Sequence, residues 1–132
     1  MTPVESARWR ERIAEHWRIT QDLDRALLRV HGISLSEFLT LSALDRGEGR
    51  LCAKDLVDVV GLSPSTLSRL LDRLERGGLL VRRAGTRDRR TVRLWITESG
   101  SRTARAATST FDARLPRSPL PAPSRSPEGA LP

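Results

Sequence analysis

The sequence has one cysteine, few aromatic residues and no long apolar run, and each scarcity excludes a class of protein. A single cysteine, Cys52, cannot form an internal disulfide, which indicates a reducing compartment. No apolar run approaches the roughly 20 residues that a membrane-spanning helix needs. Residues 1–17 also lack the apolar centre of a signal peptide. We therefore expect a cytoplasmic protein that makes no membrane contact.

Residue patterns that carry catalysis or bind metals are equally scarce. His16 and His31 are the only histidines, and neither has Cys, Asp or Glu partners at metal-ligand spacing. The sequence contains no nucleophile–base signature, phosphate-binding loop or dinucleotide fingerprint. We expect no enzymatic activity, no cofactor and no metal site. Cys52 is interpreted as a small filler residue near the start of a helix, in preference to a redox sensor.

Positive charge is what the sequence has in excess, and most of that excess lies in one segment. The formal net charge is +7 at pH 7. Residues 61–97 contain nine arginines and three acidic residues, whereas residues 1–60 contain nine basic and ten acidic residues. A basic patch confined to one element is typical of a protein that binds a polyanion such as nucleic acid.

The basic segment begins with a predicted DNA-recognition helix. Ser63 is a good N-cap residue and Pro64 suits the first helical position, while Gly77-Gly78 ends the helix. The spacing of the leucines predicts an amphipathic helix, with short hydroxyl side chains and then arginines on its polar face, as suits a helix in a DNA major groove. The buried face comprises Leu67, Leu70, Leu71 and Leu74, and the polar face comprises Ser65, Thr66, Ser68, Arg69, Asp72, Arg73 and Arg76.

A β-hairpin is predicted directly after this helix. Residues 79–81 are β-prone, an arginine-rich turn follows, and residues 91–97 alternate with the period of a strand. We expect the alternation to direct one set of side chains to the core and the other to solvent. The core set comprises Val92, Leu94 and Ile96, and the solvent set comprises Arg93 and Trp95. A helix followed by a basic hairpin predicts a winged helix-turn-helix.

These elements resemble the MarR (multiple antibiotic resistance regulator) family of transcriptional regulators. The family pattern is a recognition helix ending in L-x-x-x-G-L-v-x-R, a wing with D-x-R and a strand closing in L-T-x-x-G. The chain has Leu74, Gly78-Leu79, Arg82, Asp88 to Arg90, and Thr97 to Gly100 in the corresponding places, with isoleucine instead of leucine at position 96. The match covers roughly residues 5–110. It implies a DNA-binding regulator, which we expect to be a repressor acting on double-stranded DNA.

The expected DNA contacts fall on two elements. On the recognition helix they are Ser65, Thr66, Ser68, Arg69 and Arg73, with Arg69 as the candidate for a bidentate guanine contact. On the wing they are Arg87, Arg89 and Arg90, which would meet phosphates or a narrow minor groove. The resemblance implies that Asp88 shapes the wing by pairing with an arginine, for which Arg90 is the candidate.

The rest of the chain predicts three supporting helices. Residues 5–31 have an apolar stripe that includes Trp9, Ile13, Trp17, Thr20, Leu23, Leu27 and Val30. The resemblance assigns this helix to dimerisation, and packing of the tryptophans within one chain is the alternative.

The next helix begins with a Ser34–Glu37 capping box and an Ile33–Phe38 staple, and buries Phe38, Leu41 and Leu44. The first helix of the helix-turn-helix is expected at Leu51–Val60, with Leu56 and either Val59 or Val60 buried, before a turn at Gly61.

The C-terminal part of the sequence departs from the family pattern. Thr97 is a plausible N-cap for a short helix to about residue 115 that packs through Ala104, Ala107, Phe111 and Leu115. Residues 116–132 contain six prolines and three serines and are predicted to be disordered. We therefore expect a truncated or altered C-terminus and a weakened homodimer. The cleft that binds a small aromatic effector in relatives would lose one wall.

The predicted fold is thus mainly α with a small β-hairpin. It is a winged helix-turn-helix at residues 1–115, with a long N-terminal helix and a shortened C-terminal helix. Within it, residues 34–97 form the DNA-binding core, and residues 5–31 and 98–115 form helical dimerisation elements. Two alternative functions stay open at this point. One is a winged-helix module that binds an acidic protein, and the other is a C-terminally impaired regulator with only non-specific DNA affinity.

Overall fold

The computed structural model describes residues 1–85 and 90–117, which form a mainly helical fold with one antiparallel hairpin. The elements in chain order are α1 (Pro3–His31), α2 (Leu35–Gly47), α3 (Ala53–Val60), α4 (Pro64–Arg76), β1 (Leu80–Ala84), β2 (Val92–Ile96) and α5 (Glu98–Arg114). The order and type of these elements confirm the predicted fold class. In the described part of the chain, no helix is both long enough and apolar enough to cross a membrane.

Helix α1 is capped at both ends but packs against its own chain only in its C-terminal half. At its start, the Thr2 hydroxyl accepts from the Glu5 N–H and the Glu5 carboxylate accepts from the Thr2 N–H. At its end, Gly32 takes the left-handed conformation, with φ of 70°. The buried residues of α1 are Leu23, Ala26 and Leu27.

The N-terminal half of α1 leaves its large apolar side chains in solvent. Trp9, Ile13 and Trp17 are 54%, 53% and 62% exposed, and Val30 near the other end is 58% exposed. Packing of the tryptophans within one chain, which was one of the two alternatives, is therefore wrong. The reason is geometric, because the partner helices α2 and α5 are short and contact only part of α1.

Helix α2 lies at the centre of the core and contacts α1, α3, α5 and β2. Its start confirms the predicted capping box, since the Ser34 hydroxyl accepts from the Glu37 N–H and the Glu37 carboxylate accepts from the Ser34 N–H. Ile33 and Phe38 are both buried, as a hydrophobic staple requires. Leu41 and Leu44 are buried as predicted.

Helix α3 begins two residues later than predicted. Leu51 belongs to an extended segment whose carbonyl oxygen accepts from the Leu94 N–H at 2.8 Å, so it is paired with β2 and is not helical. Leu56 is fully buried, but Val59 is 53% exposed, and Val57 packs partly against the core instead. The expectation that Val59 or Val60 is buried is therefore wrong for Val59. Gly61 makes the predicted turn into α4 with φ of 71°.

Strands β1 and β2 pair in register from Leu80 opposite Ile96 to Ala84 opposite Val92. Leu80 and Leu94 are buried and Ile96 is partly buried. Val92 is 44% exposed, so its predicted core position is wrong. Val92 lies at the far end of the hairpin, beyond the helices that bury Leu94. The alternation of apolar and polar residues in a strand does not show how far along the strand the helices pack.

Helix α5 begins at Thr97, whose hydroxyl accepts from the Gly100 N–H at 3.0 Å. It packs on α1 and α2 through Ala104 and Ala107, which are buried, and through Phe111, whose ring lies 4.8 Å from that of Phe38. The expected packing of Leu115 is wrong, since Leu115 is 38% exposed just after the last helical residue.

Candidate nucleic-acid interface

Helix α4 has one buried face and one face directed to solvent. Its four leucines are each 1–2% exposed, which fixes the orientation of the helix. All five predicted DNA-contacting residues of α4 are exposed on the other face. In the first turn, the Ser63 hydroxyl accepts from the Thr66 N–H and donates to the Thr66 hydroxyl at 2.8 Å. The N-terminal end of the exposed face is therefore held in a defined conformation.

The side chains of two arginines on this face have no partner among the described residues. Arg69 and Arg73 are exposed, and within residues 1–85 and 90–117 neither side chain makes a hydrogen bond or an ion pair. Together with Thr66 and Asp72 they border a shallow depression of about 360 Å³ on the outer surface of α4. Their guanidinium groups are thus available to an incoming acceptor, and a guanidinium suits planar, bidentate acceptors such as phosphate or a guanine edge.

The two acidic residues of α4 share one arginine of the neighbouring strand as their ion-pair partner. Arg82 on β1 donates to Asp72 at 2.8 Å and to Glu75 at 3.0 Å. The Arg82 side chain is only 29% exposed, so this pairing is more shielded than an ordinary surface ion pair. The contact ties β1 to α4 and offsets one of the two negative charges near Arg73, and the three arginines of α4 outweigh the remaining one. The charge that α4 presents to solvent is therefore positive.

The base of the wing is anchored to the connection between α2 and α3. In addition to the Leu94–Leu51 hydrogen bond, the Arg93 guanidinium donates to the Arg50 carbonyl oxygen. The Trp95 ring lies directly against Gly49, where any side chain would overlap the indole. Gly49 also has a φ of 76°, a conformation that favours glycine.

The start of α3 contains the single cysteine. The Asp55 carboxylate accepts from both the Cys52 N–H at 2.9 Å and the Cys52 thiol at 3.2 Å. The backbone hydrogen bond from Cys52, followed by that from its thiol, lowers the pKa of Asp55 below its ordinary value. The partly buried thiol therefore faces a carboxylate that stays ionised. In the described ranges, His, Cys, Asp and Glu side chains form no group of three that would hold a metal ion.

Comparisons with known proteins agree with this geometry. A sequence model of the MarR family matches residues 31–91. The uncharacterised HTH-type transcriptional regulator YwhA of Bacillus subtilis (strain 168) is 33% identical over 88 residues, which are 67% of this chain and 62% of YwhA. The crystal structure of AbsC, a MarR family transcriptional regulator from Streptomyces coelicolor, superposes with a TM-score of 0.76 at 27% identity, over 86% of this chain and 77% of AbsC. The chain belongs to the MarR family.

A MarR-family relative has been solved with its nucleic acid. The structure of the MepR–DNA complex from S. aureus superposes with a TM-score of 0.69 at 27% identity, over 86% of this chain and 80% of MepR. The match to YwhA spans less than two thirds of the length of that protein.

The structure brings together one of the two predicted groups of DNA-contacting residues. Ser65, Thr66, Ser68, Arg69 and Arg73 share the exposed face of α4. In the wing, Arg90 is exposed, and Arg87, Asp88 and Arg89 lie outside the described residues. The proposed pairing of Asp88 with Arg90 stays a prediction.

Sequence reasoning missed the structural part that Arg82 plays. In the sequence, Arg82 stands out only as a match to the MarR motif G-L-v-x-R, which indicates no partner for it. Its spacing from Asp72 and Glu75, ten and seven residues, is not a helical spacing, so the pairing depends on how the hairpin folds back on α4. The one indication in the sequence that Arg82 matters was its position in the MarR motif.

Proposed function

We propose that this MarR-family chain is a sequence-specific DNA-binding transcriptional regulator that represses by occupying an operator. The observation that carries the proposal is the exposed face of α4, where the side chains of Arg69 and Arg73 lack partners among the described residues and Arg82 pairs with the adjacent acids. A helix with this surface has the charge and the hydrogen-bond donors that a DNA major groove accepts. The similarity to MepR, which has been solved in complex with DNA, supports DNA as the ligand.

Within this proposal, the two basic elements have different tasks. Arg69 donates hydrogen bonds from its two terminal nitrogens to O6 and N7 of a guanine. This is the commonest specific contact to a base. The short side chains of Ser65, Thr66 and Ser68 allow the helix to approach the base edges closely. Wing residues Arg87, Arg89 and Arg90 contact phosphates or a narrow minor groove and hold the protein on the duplex without selecting sequence.

The proposed regulator acts as a homodimer. Trp9, Ile13 and Trp17 recur at spacings of four along α1 and expose an apolar strip that the described residues leave uncovered. The occupant proposed for this strip is the α1 region of a second copy, as the MarR resemblance implies. Two copies related by a twofold axis would present two α4 helices to half-sites roughly one helical turn, about 10 base pairs, apart.

A small aromatic effector is proposed for the cleft between α1 and α2. An open cavity of about 310 Å³ lies there, bordered by Trp17, Thr20, Asp24 and Leu35. The indole offers a stacking surface, and the hydroxyl and carboxylate offer polar contacts, which is a usual composition for a small-molecule site. Because Trp17 also belongs to the proposed dimer strip, an effector in this cleft would act on the relative position of the two α4 helices.

The proposed function is tested by selecting binding sites from a random duplex pool and mapping the recovered site by nuclease protection. The expected result is one enriched motif with twofold symmetry, bound about a thousandfold or more tightly than random duplex. Recovery of no motif, with equal affinity for all duplexes, would contradict sequence-specific regulation. An unprotected duplex at low salt would contradict DNA binding itself.

A further inference from the structure

Two arginines face each other across the wing hairpin. Arg83 on β1 is directly opposite Arg93 on β2 in the antiparallel register. Residues directly opposite in such a pair project from the same face of the sheet with their Cβ atoms about 5 Å apart, and like charges in that position destabilise the pair. This face is the one opposite to Leu80 and Leu94, so it points away from the helical core.

The charged groups around this pair leave positive charge in excess. The Arg93 guanidinium donates to the uncharged carbonyl oxygen of Arg50, and Arg50 itself pairs with Glu48 at 3.2 Å. Arg93 also contributes, together with Lys54, to the lowered pKa of Asp55. Asp55 is therefore the one nearby acid with an electrostatic link to Arg93 in the described part of the chain.

No acidic side chain pairs with Arg83 in the described part of the chain. Arg83 is exposed, and within residues 1–85 and 90–117 its side chain makes no hydrogen bond or ion pair. The adjacent arginine Arg82 projects to the opposite face and is occupied by Asp72 and Glu75. The chain thus keeps a repulsive cross-strand pair with one member unpartnered, at the base of an element that the proposed function places on DNA.

We propose that Arg83 and Arg93 form a phosphate-binding site at the base of the wing, separate from the contacts of α4 and of the wing tip. The ligand is a phosphodiester group of the duplex backbone, so the inference rests on the proposed function. A phosphate placed between the two guanidinium groups accepts from both and removes their mutual repulsion. The site adds affinity for DNA without selecting its sequence, because it contacts only the sugar-phosphate backbone of the duplex.

The proposal predicts that one substitution changes the thermal stability of the protein and its affinity for DNA in opposite directions. Arg83→Glu places a carboxylate opposite Arg93, which converts a repulsive cross-strand pair into an attractive one. We expect the Tm to rise by about 1 to 5 °C. We expect the affinity for duplex DNA to fall, because the same change removes a phosphate contact and adds a negative charge. A merely structural pair would also gain stability in R83E, but its neutral variant R83Q would keep the salt dependence of the wild type.

The experiment compares the full-length wild type with R83Q, R83E and R93Q in salt titrations on cognate and random duplexes. R83Q and R93Q are each expected to lower the slope of log K against log salt by about 0.9, equally on both duplexes. The matched control is R102Q, which removes an exposed arginine on α5 whose partner is Glu98, and it should leave the slope unchanged.

Three results would contradict the inference. If the wild type binds duplex DNA and R83Q, R93Q and R102Q all retain its slope, the pair does not contact phosphate and the proposed function stands without it. If the wild type has no affinity for duplex DNA at low salt, the proposed function fails and the phosphate site fails with it. A lower Tm for R83E would show that replacing Arg83 relieves no repulsion from Arg93, which also contradicts the proposal.

Discussion

Single residues decide the charge that the proposed DNA-binding surface presents, and Arg82 shows how. It pairs with two carboxylates of α4 that would otherwise repel DNA phosphates beside Arg73. We expect Arg82→Ala to lower the free energy of unfolding by about 1 kcal/mol and to weaken DNA binding on every duplex. Arg82→Lys should recover only part of both effects, because an ammonium group lacks the planar fork of a guanidinium.

Chemical denaturation and a DNA titration of the same protein samples check this expectation. The control is Arg102→Ala, which also removes an arginine ion pair, but one whose side chains are 71% and 88% exposed. Its effect on both quantities should be close to zero. Identical behaviour of Arg82→Ala and Arg102→Ala would mean that Arg82 is an ordinary surface arginine.

A second residue of the wing, Asp88, is predicted from the MarR resemblance to hold the wing arginines in place. Asp88→Ala is expected to weaken DNA binding, although it removes a negative charge from a basic segment. Simple electrostatics predicts tighter binding for the same variant, so the sign of the change separates the two explanations. The measurement is the ratio of Kd values for variant and wild type at one salt concentration, and a ratio below one would show that the carboxylate has no shaping role.

At the scale of elements, the junction between β2 and α5 explains why the MarR motif ends in T-x-x-G. The Thr97 hydroxyl donates to the Gly78 carbonyl at 2.6 Å and accepts from the Gly100 N–H, so one side chain links the end of α4 to the start of α5. Gly100 is buried, and a methyl group there would overlap the Leu79 carbonyl oxygen. Position 100 therefore requires glycine for space and not for a special backbone angle.

The Gly100→Ala variant tests this explanation. An added methyl in a tightly packed helix start is expected to cost about 1–3 kcal/mol of unfolding free energy, despite the better helix propensity of alanine. Ser99→Ala, at the exposed preceding position, should stay within about 0.5 kcal/mol of the wild type. Thermal and urea denaturation of both variants give the comparison. A Gly100→Ala protein as stable as the wild type would refute the steric requirement.

The elements also show how far the sequence could predict this fold. Local chemistry determined the starts of α2 and α4, where Ser34, Glu37, Ser63 and Pro64 act within one turn, and these predictions are confirmed. Predictions that depend on a distant partner were less accurate. The extended conformation of Leu51 comes from its pairing with β2, and the exposure of Val92 comes from where the helical cover ends. Neither is encoded in the neighbouring residues.

At the scale of the whole molecule, the uncovered strip on α1 predicts association. Trp17→Ala removes a large apolar side chain that is 62% exposed in one chain and would be buried between two. We expect weaker self-association in analytical ultracentrifugation and a loss of operator affinity that is greatest at dilute protein. Arg18→Ala, at the next position, is the control and should leave both nearly unchanged. An equal fraction of dimer in the Trp17→Ala variant and the wild type would place the interface elsewhere.

The most direct test of the central proposal, that α4 selects sequence through Arg69, is to measure Arg69→Ala on the selected operator and on random duplex under the same salt conditions. The proposal predicts a loss of about 1–3 kcal/mol on the operator, with discrimination removed at one base pair and little change on random duplex. Equal losses on the operator and on random duplex would contradict it, because they would mean that Arg69 contacts only the phosphate backbone.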